Sequence, residues 1–301
     1  MIRSIEEIRQ EVQKNKKAKI VIAAAGQEDL KVAYEATKQN LAEFILIGDQ
    51  AELLEIIKND KFSDVDFVIY NEVDPAKAVK KAVAMVHQQE ADFPMKGSLH
   101  TGTFLREILH KERGLGTDKL LSQITVFDGY NQELQYLTDC AINIAPDLNQ
   151  KIKIIENAVE IAHKLGNPKP LVAMLGSLET VNPAMADTLD SAILTQMNRR
   201  GQIKNCLVDG PLALDNAVSL ELATIKGIDS PVAGKAQILV APDLGLANSL
   251  SKALTHYAKL ASASVVAGTQ VPIVMTSRTD TLKNKLAAVA IASYLARREE
   301  A

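Results

Sequence analysis

One stretch near the C-terminus brings together residue types that could bind and transform an anionic substrate. Residues 273–276 suit a buried strand, and Ser277, Arg278 and Asp280 follow it directly. Open α/β sheets place their ligands at the carboxyl ends of strands, where loops and helix starts converge. A hydroxyl, a fixed positive charge and a carboxylate at that point suit an anion and a group that loses or accepts a proton. The alternative interpretation is a capped helix start with a surface Arg.

A helix is expected to follow this stretch at once. Apolar residues recur at helical spacing in Leu282, Leu286, Val289 and Ala290. This spacing predicts a helix with one apolar face.

Strands alternate with helices in the N-terminal part of the chain. The hydrophobic pattern predicts strands at 19–25, 43–47 and 66–70 and helices at 28–40, 50–58 and 75–89. Alternation at this length is typical of a parallel, doubly wound sheet.

Residues 91–103 break this alternation and are predicted to form a loop. Lys96 and His100 supply positive or switchable charge in this segment. Gly97 and Gly102 would allow the backbone to approach a ligand closely. The alternative is a solvated Lys and a structural His.

The downstream half contains two more strand ends with polar residues. Asp209 and Gly210 follow one short predicted strand, and Asp243 follows another, with Asn248 in the first turn of the next helix. If these strands and the one ending at Ser277 are neighbours in one parallel sheet, their polar groups face the same crevice. From residue 120 to about residue 144 the pattern instead favours antiparallel strands, around a segment that contains Tyr130.

The composition is that of an ordinary globular protein. The 301 residues are 47% hydrophobic and 24% charged, with a formal net charge of -3, and the length allows two domains. This charge gives no reason to expect nucleic acid or a membrane surface as a partner. Cys140 and Cys206 have neither metal-site nor disulfide-framework spacing, and no signal-peptide pattern or long apolar run occurs, so we expect a cytoplasmic location.

Two common kinds of site find no support in the sequence. No Gly-x-Gly-x-x-Gly follows the first predicted strand, so the classical dinucleotide-binding fingerprint is absent. The five histidines form no pair at metal-binding helical spacing, and no metal site is predicted.

Seven short blocks, taken in order, resemble the phosphate acyltransferases, most closely their butyryltransferase branch. The blocks are Lys96–Thr103, Asn143–Asp147, Asp209–Pro211, Lys226–Ile228, Val232–Ala236, Ala241–Leu244 with Asn248, and Ser277–Asp280. The resemblance implies two doubly wound α/β domains with a cleft between them, as in isopropylmalate and isocitrate dehydrogenases. We place the first domain at 1–138 plus 281–301 and the second at 139–280.

The resemblance also implies a reaction. Acyl-CoA and orthophosphate would exchange the acyl group by direct transfer in a ternary complex, giving acyl phosphate and CoA, with butyryl as the preferred group. A phosphate acetyltransferase and a non-catalytic regulator that binds CoA or acyl phosphate are the alternatives. CoA would be a substrate, with no tightly bound cofactor and no metal, and a homo-oligomer is expected.

Residue roles follow from the resemblance position by position. Ser277 and Arg278 match the Ser-Arg pair at the catalytic centre of related acetyltransferases. The base proposed there, an Asp seven residues after that Ser, falls here on Asn284, which is a departure from the family pattern. Asp280 is the nearer carboxylate and becomes the candidate base. The candidate substrate-binding residues are Lys96 and His100, expected across the cleft, with Thr101, Asp209, Gly210, Asp243 and Asn248.

Overall fold

Two units, each with its own sheet, make up the mixed α/β fold of the computed structural model, which describes residues 1–129 and 131–297. The first unit comprises Met1–Ile5 and Leu120–Ser262, and the second comprises Glu6–Lys119 and Ala263–Ala301. These borders differ from the predicted domain limits at 138/139 and 280/281, and that domain assignment stays a prediction. Tyr130 and the predicted domain end at 298–301 lie outside the described residues.

The helices and strands alternate along most of the chain. The N-terminal part contains α1 (Ile5–Gln13), β1 (Ala18–Ala23), α2 (Gln27–Lys38), β2 (Ala42–Gly48), α3 (Gln50–Asn59), β3 (Val68–Asn71), α4 (Pro75–His87), β4 (Phe93–Lys96) and α5 (Thr101–Ile108). The middle contains β5 (Ser122–Asp128), β6 (Leu134–Thr138), α6 (Leu148–Lys164), β7 (Leu171–Leu175), α7 (Ala186–Arg199), β8 (Leu207–Leu212), α8 (Leu214–Val218), α9 (Leu220–Ile225), β9 (Ile238–Val240), α10 (Leu244–Lys252) and a π-helical turn (Ala253–Tyr257). The last elements are β10 (Ser262–Ala267) and α11 (Leu282–Leu295).

The sheet of the second unit has the order β3-β2-β1-β4, and its strands pair in parallel. Ile20, Val21 and Ile22 of β1 are completely buried. A strand that is buried on both faces reads as a continuous apolar run, because helices cover both sides of a parallel sheet. The parallel, doubly wound sheet predicted from the alternation is therefore confirmed.

The loop predicted at 91–103 is wrong in part, because β4 and the first turn of α5 lie within it. Pro94 is a residue that the interior of a sheet disfavours. Proline cannot donate a ladder hydrogen bond, so it is tolerated in strands at a sheet edge. β4 is the last strand in the order β3-β2-β1-β4, where Pro94 pairs with Val21.

The strand predicted at 273–276 is replaced by two isolated bridges. Val274 bridges to Met95 in parallel, and Ile273 bridges to Val266 in antiparallel fashion. Both residues are completely buried, which explains the apolar pattern. The segment is extended and apolar because it packs beside β4, although it does not continue a sheet.

The helix after this segment is buried more completely than its pattern predicted. Residues 285–293 of α11 are all buried, including Lys285 and Ser293. A helix that is apolar all round is a core helix, whereas one apolar face was expected. α11 therefore forms part of the interior of the second unit and fixes the turn that precedes it.

The sheet of the first unit combines both strand directions. Within this unit the order is β5-β6-β9-β7-β8, with β5 and β6 antiparallel and the other neighbours parallel. The antiparallel pattern predicted from residue 120 is confirmed for β5 and β6. Leu137, Ala173 and Leu239 belong to the buried core on this sheet.

Asp209 and Gly210 lie inside β8, whereas we expected them to follow a strand. Asp243 follows β9 as expected, and β7 separates β9 from β8. Ser277 belongs to the other unit. The three polar strand ends are therefore not neighbours in one parallel sheet, and the condition set for a common crevice is not met.

Among the helices of residues 1–129 and 131–297, none has both the length and the apolar character needed to cross a membrane.

Candidate functional site

A short turn holds Ser277 and Arg278 at the surface of the second unit. The Asp280 carboxylate oxygen Oδ2 accepts a hydrogen bond from the Ser277 backbone N–H at 2.7 Å, and the Asp280 N–H donates to the Ser277 carbonyl at 3.1 Å. Ser277 and Arg278 are exposed within this turn. Asp280 therefore closes the turn from both sides and fixes the position of the serine.

The helix cap is a different residue from those of the chemical trio. Thr281 caps α11, and its Oγ1 accepts the backbone N–H of Asn284 at 3.2 Å. The alternative reading of a capped helix start is correct for Thr281 alone. Because the cap is supplied by Thr281, the Ser277 hydroxyl and the Arg278 guanidinium are not used for capping.

The end of β4 lies directly beside Val274, in the extended segment that leads into this turn. The Lys96 N–H donates to the Val274 carbonyl at 2.9 Å, and Met95 bridges to Val274. We expected Lys96 to lie across a cleft from Ser277. The structure instead places both residues in the second unit, with the two chain segments side by side.

Lys96 is a half-buried cation next to a second positive charge. Its Nζ donates to the Gly97 carbonyl at 3.2 Å. Burial lowers the pKa of Lys96, and the Arg278 guanidinium lowers that pKa further, while the carboxylate of Asp29 raises it. The charge of Asp29 offsets the repulsion between Lys96 and Arg278 only in part. Binding of an anionic ligand near these two cations is therefore favoured.

His100 and Thr101 lie at the start of α5, the helix that follows β4. His100 is the N-cap residue, and its side chain makes no capping hydrogen bond. Both residues are exposed. The first backbone N–H groups of a helix attract anions, so these two residues lie where a phosphate would be favoured.

Sequence reasoning missed Asp29, a residue in the first turn of α2 that contacts the loop after β4. Its Oδ2 accepts the Gly26 N–H and the Ser98 hydroxyl, each at 3.0 Å. Burial raises the pKa of Asp29, against the effect of these two hydrogen bonds and of the charges of Lys285 and Lys96. The available signal was the spacing of Asp29 three residues after Gly26, which is that of a capping box at the end of the first strand.

Gly97 keeps the loops after β1 and β4 in close contact. Its N–H donates to the Ala23 carbonyl at 3.0 Å, and the Ser98 N–H donates to the Ala24 carbonyl at 2.7 Å. A Cβ atom on Gly97 would lie 2.4 Å from the Ala24 carbonyl oxygen, so no other residue fits without a backbone shift.

The other four candidate residues belong to the first unit. Asp209 forms a long ion pair of 4.0 Å with Arg199, and Gly210 next to it has a φ of 157°. Asp243 caps α10 by accepting the Leu246 N–H at 2.9 Å. These contacts give Asp209 a neighbouring cation and give Asp243 a structural role as a cap.

Asn248 lies in the second turn of α10, whereas we expected it in the first. Its Nδ2 donates to the Cys140 carbonyl at 3.0 Å, which joins α10 to the chain after β6. The structure therefore brings Ser277, Arg278 and Asp280 together with the Lys96 segment. It leaves the remaining four candidates in a separate unit.

Comparisons with known proteins point to one family. A family model described as "Phosphate acetyl/butaryl transferase" matches residues 64–293. Phosphate butyryltransferase from Clostridium beijerinckii is 41% identical over 303 residues, which span 100% of both chains. Phosphate acetyltransferase from Thermotoga maritima is 40% identical, covering 95% of this chain and 98% of that protein.

A solved structure agrees with the fold. The crystal structure of a branched-chain phosphotransacylase from Enterococcus faecalis V583 superimposes with a TM-score of 0.82 at 30% identity. It covers 94% of this chain and 100% of that one. The predicted α/β fold class and the resemblance found in the seven sequence blocks are both confirmed.

Proposed function

We propose that this chain, which belongs to the phosphate acetyl/butyryl transferase family, transfers a butyryl group between CoA and orthophosphate. The reaction is acyl-CoA plus orthophosphate giving acyl phosphate plus CoA, and it runs in either direction. The observation that carries the proposal is the full-length 41% identity to a phosphate butyryltransferase. The turn that presents Ser277 and Arg278 beside Lys96 supplies groups suited to that chemistry.

Arg278 and Lys96 are proposed to bind the phosphate. The guanidinium of Arg278 is a planar fork that holds two phosphate oxygens at once, and its exposed position in the turn leaves it accessible. Lys96 adds a second positive charge from the end of β4. His100 and Thr101, at the start of α5, are proposed as further contacts to the anion.

Ser277 and Asp280 are proposed to act on the thiol and the carbonyl. The Ser277 hydroxyl would donate a hydrogen bond to the developing CoA thiolate or to the carbonyl oxygen. Asp280 Oδ2 is engaged by the Ser277 N–H, so Oδ1 is the oxygen that would take the thiol proton. Because both substrates are held together, no covalent acyl-enzyme is required.

Contacts to CoA from the first unit stay proposals. We propose that Asp209, Gly210, Asp243 and Asn248 contribute to substrate binding. CoA serves as a substrate, and the absence of a tightly bound cofactor is a prediction. A cytoplasmic location and a homo-oligomeric state are predictions of the same kind.

Release of free CoA from butyryl-CoA is expected only when phosphate or arsenate is present. The reason is that the acyl group needs the bound anion as its acceptor. The measurement is a thiol-release assay with each anion and with chloride as the control. Thiol release that ignores the anion would indicate a thioesterase, and binding of CoA without any release would favour a regulator.

Butyryl-CoA is expected to have a higher kcat/KM than acetyl-CoA, by about ten- to twentyfold. Butyryl carries two more methylenes, each worth about 0.8 kcal/mol when buried. An apolar slot discriminates poorly between similar shapes, so isobutyryl and valeryl groups should also react. Comparing kcat/KM for acetyl-, propionyl-, butyryl-, isobutyryl- and octanoyl-CoA tests this order. An optimum at acetyl-CoA would assign the chain to the acetyltransferase branch.

A further inference from the structure

Asp29 has two hydrogen-bond donors and two cations around one carboxylate. Gly26 and Ser98 donate to its Oδ2, each at 3.0 Å. The charges of Lys96 and Lys285 also act on this carboxylate. Asp29 itself is half-buried at the third position of α2. A carboxylate that only closed a capping box would need neither the serine on the neighbouring loop nor the two cations.

The hydrogen bond from Ser98 ties Asp29 to the segment that carries Lys96. Ser98 lies two residues after Lys96, on the loop between β4 and α5. Gly97 and Ser98 also donate backbone hydrogen bonds to Ala23 and Ala24 at the end of β1. Asp29 is therefore fixed relative to the base of the Lys96 side chain.

Lys96 needs a counter-charge at this place. Its Nζ donates to a neutral carbonyl, and no carboxylate within residues 1–129 and 131–297 lies at ion-pair distance from it. Arg278 is the cation that opposes its charge, and Asp29 is the carboxylate that supports it. Without Asp29, the burial penalty and the charge of Arg278 would act on the ammonium without compensation.

The second lysine near Asp29 already has a partner. Lys285, on the buried helix α11, has a side chain that is only 7% exposed, and its Nζ lies 3.6 Å from Glu28 Oε2. Glu28 is the residue before Asp29 on α2, and its side chain is 74% exposed. Glu28 is therefore the carboxylate within ion-pair distance of Lys285, whereas the charge of Asp29 interacts with both Lys285 and Lys96.

We propose that Asp29 is a positioning residue of the phosphate site, whose carboxylate holds the loop that carries Lys96 through the Ser98 hydroxyl and supplies a negative charge that favours the Lys96 ammonium. Asp29 is a positioning residue because its hydrogen bonds are to Gly26 and Ser98. The inference rests on the proposed function, because it deepens the role given there to Lys96. It also predicts a pH effect that a helix cap would not produce.

The direction of the pH effect follows from the charges around Lys96. Asp29 raises the pKa of Lys96, while burial and Arg278 lower it. Glu28 and Lys285 balance each other nearby, and His100 lies on the following loop. Removing the Asp29 charge lowers the pKa of Lys96 further. The ammonium is then lost at a lower pH, and phosphate binding declines at a lower pH than in the unaltered protein.

Three variants separate the charge of Asp29 from its capping role. Asp29→Asn keeps an oxygen that accepts from Gly26 and Ser98 but removes the charge. Asp29→Glu keeps the charge but disturbs the capping geometry. Glu28→Gln removes one charge from the adjacent residue and is the matched control. Thermal unfolding of each variant reports whether the fold is retained.

The measurements are calorimetric titration with inorganic phosphate over a range of pH and kinetics of thiol release. For Asp29→Asn we expect about tenfold weaker phosphate binding, a KM for phosphate raised by a similar factor and a basic limb displaced to lower pH. For Glu28→Gln we expect values close to those of the unaltered protein. For Asp29→Glu we expect a smaller loss of phosphate binding than for Asp29→Asn and an undisplaced basic limb, which would support the charge role.

Two outcomes would overturn the inference. If Asp29→Asn left phosphate binding and the basic limb of the pH profile unchanged, while Asp29→Glu weakened phosphate binding, Asp29 would be a helix cap only. If Asp29→Asn lowered kcat and removed the acidic limb of the pH profile at unchanged phosphate affinity, Asp29 would be a proton acceptor. An unaltered protein that binds phosphate but releases no CoA would contradict the proposed function instead, while the phosphate titrations would still decide the role of Asp29.

Discussion

Arg278→Lys is expected to lower kcat/KM roughly ten- to a hundredfold, which corresponds to the loss of one charge-assisted contact worth about 1.5–3 kcal/mol. The substitution keeps the positive charge that acts on Lys96. It removes the planar fork that can hold two phosphate oxygens in parallel. The expected loss therefore reports geometry rather than charge.

Arg106→Lys is the matched control for this substitution. Arg106 is exposed in the last turn of α5, in the same unit, and is not among the candidate site residues. Its replacement should leave kcat/KM unchanged. If a folded Arg278→Lys variant also kept the original kcat/KM, Arg278 would be a surface residue without a role in phosphate binding.

The sequence allowed the parallel sheet of the second unit to be predicted because burial on both faces leaves a local pattern. β1 and β2 are nearly continuous apolar runs, and each is followed by a helix with its own cap or start signal. Those features depend on a few neighbouring residues. The limits of the helices and strands from β1 to α4 were therefore predicted closely. The strand β4 was missed, and its Pro94 is acceptable only because the strand lies at an edge.

The partners of each strand could not be predicted in the same way. β8 and β9 lie in one sheet, whereas the segment ending at Ser277 lies beside β4 in the other unit. Three similar patterns of an apolar run followed by a polar residue thus occur in different environments. Pairing depends on contacts between residues far apart in the chain, which periodicity does not report.

The candidate site shows the same difference between features set by a local pattern and features set by distant contacts. Ser277 and Arg278 were found because their types and position suggested anion chemistry, and the turn presents both at the surface. In the sequence, Asp29 resembled an ordinary helix-start residue. Its hydrogen bond to Ser98, on the loop that carries Lys96, joins positions 69 residues apart, and a local pattern does not report such a contact. Such a residue becomes visible only when the loops after β1 and β4 are placed together.

Ser277→Ala is expected to lower kcat by roughly a hundredfold while changing the KM for CoA little. That factor is typical for the loss of one hydrogen-bond donor to a charge that develops in the transition state. The substitution removes the acceptor of the Thr279 N–H, which lies 3.3 Å from the Ser277 Oγ. The backbone of the turn should still survive, because Asp280 binds the backbone N–H of residue 277 rather than the hydroxyl. Steady-state kinetics with butyryl-CoA and phosphate provide the measurement.

Thr279→Ala and Asp280→Asn complete this test on the same turn. The Thr279 hydroxyl lies 3.0 Å from the Ser277 hydroxyl, so Thr279→Ala removes a neighbouring hydroxyl and should affect kcat much less.

Asp280→Asn keeps an acceptor for the Ser277 N–H and removes the carboxylate that is proposed to take the thiol proton. It should lower kcat strongly. If Ser277→Ala raised only the KM, the hydroxyl would stabilise the ground state and the transition state equally. An unchanged kcat in Asp280→Asn would transfer the role of proton acceptor to another group.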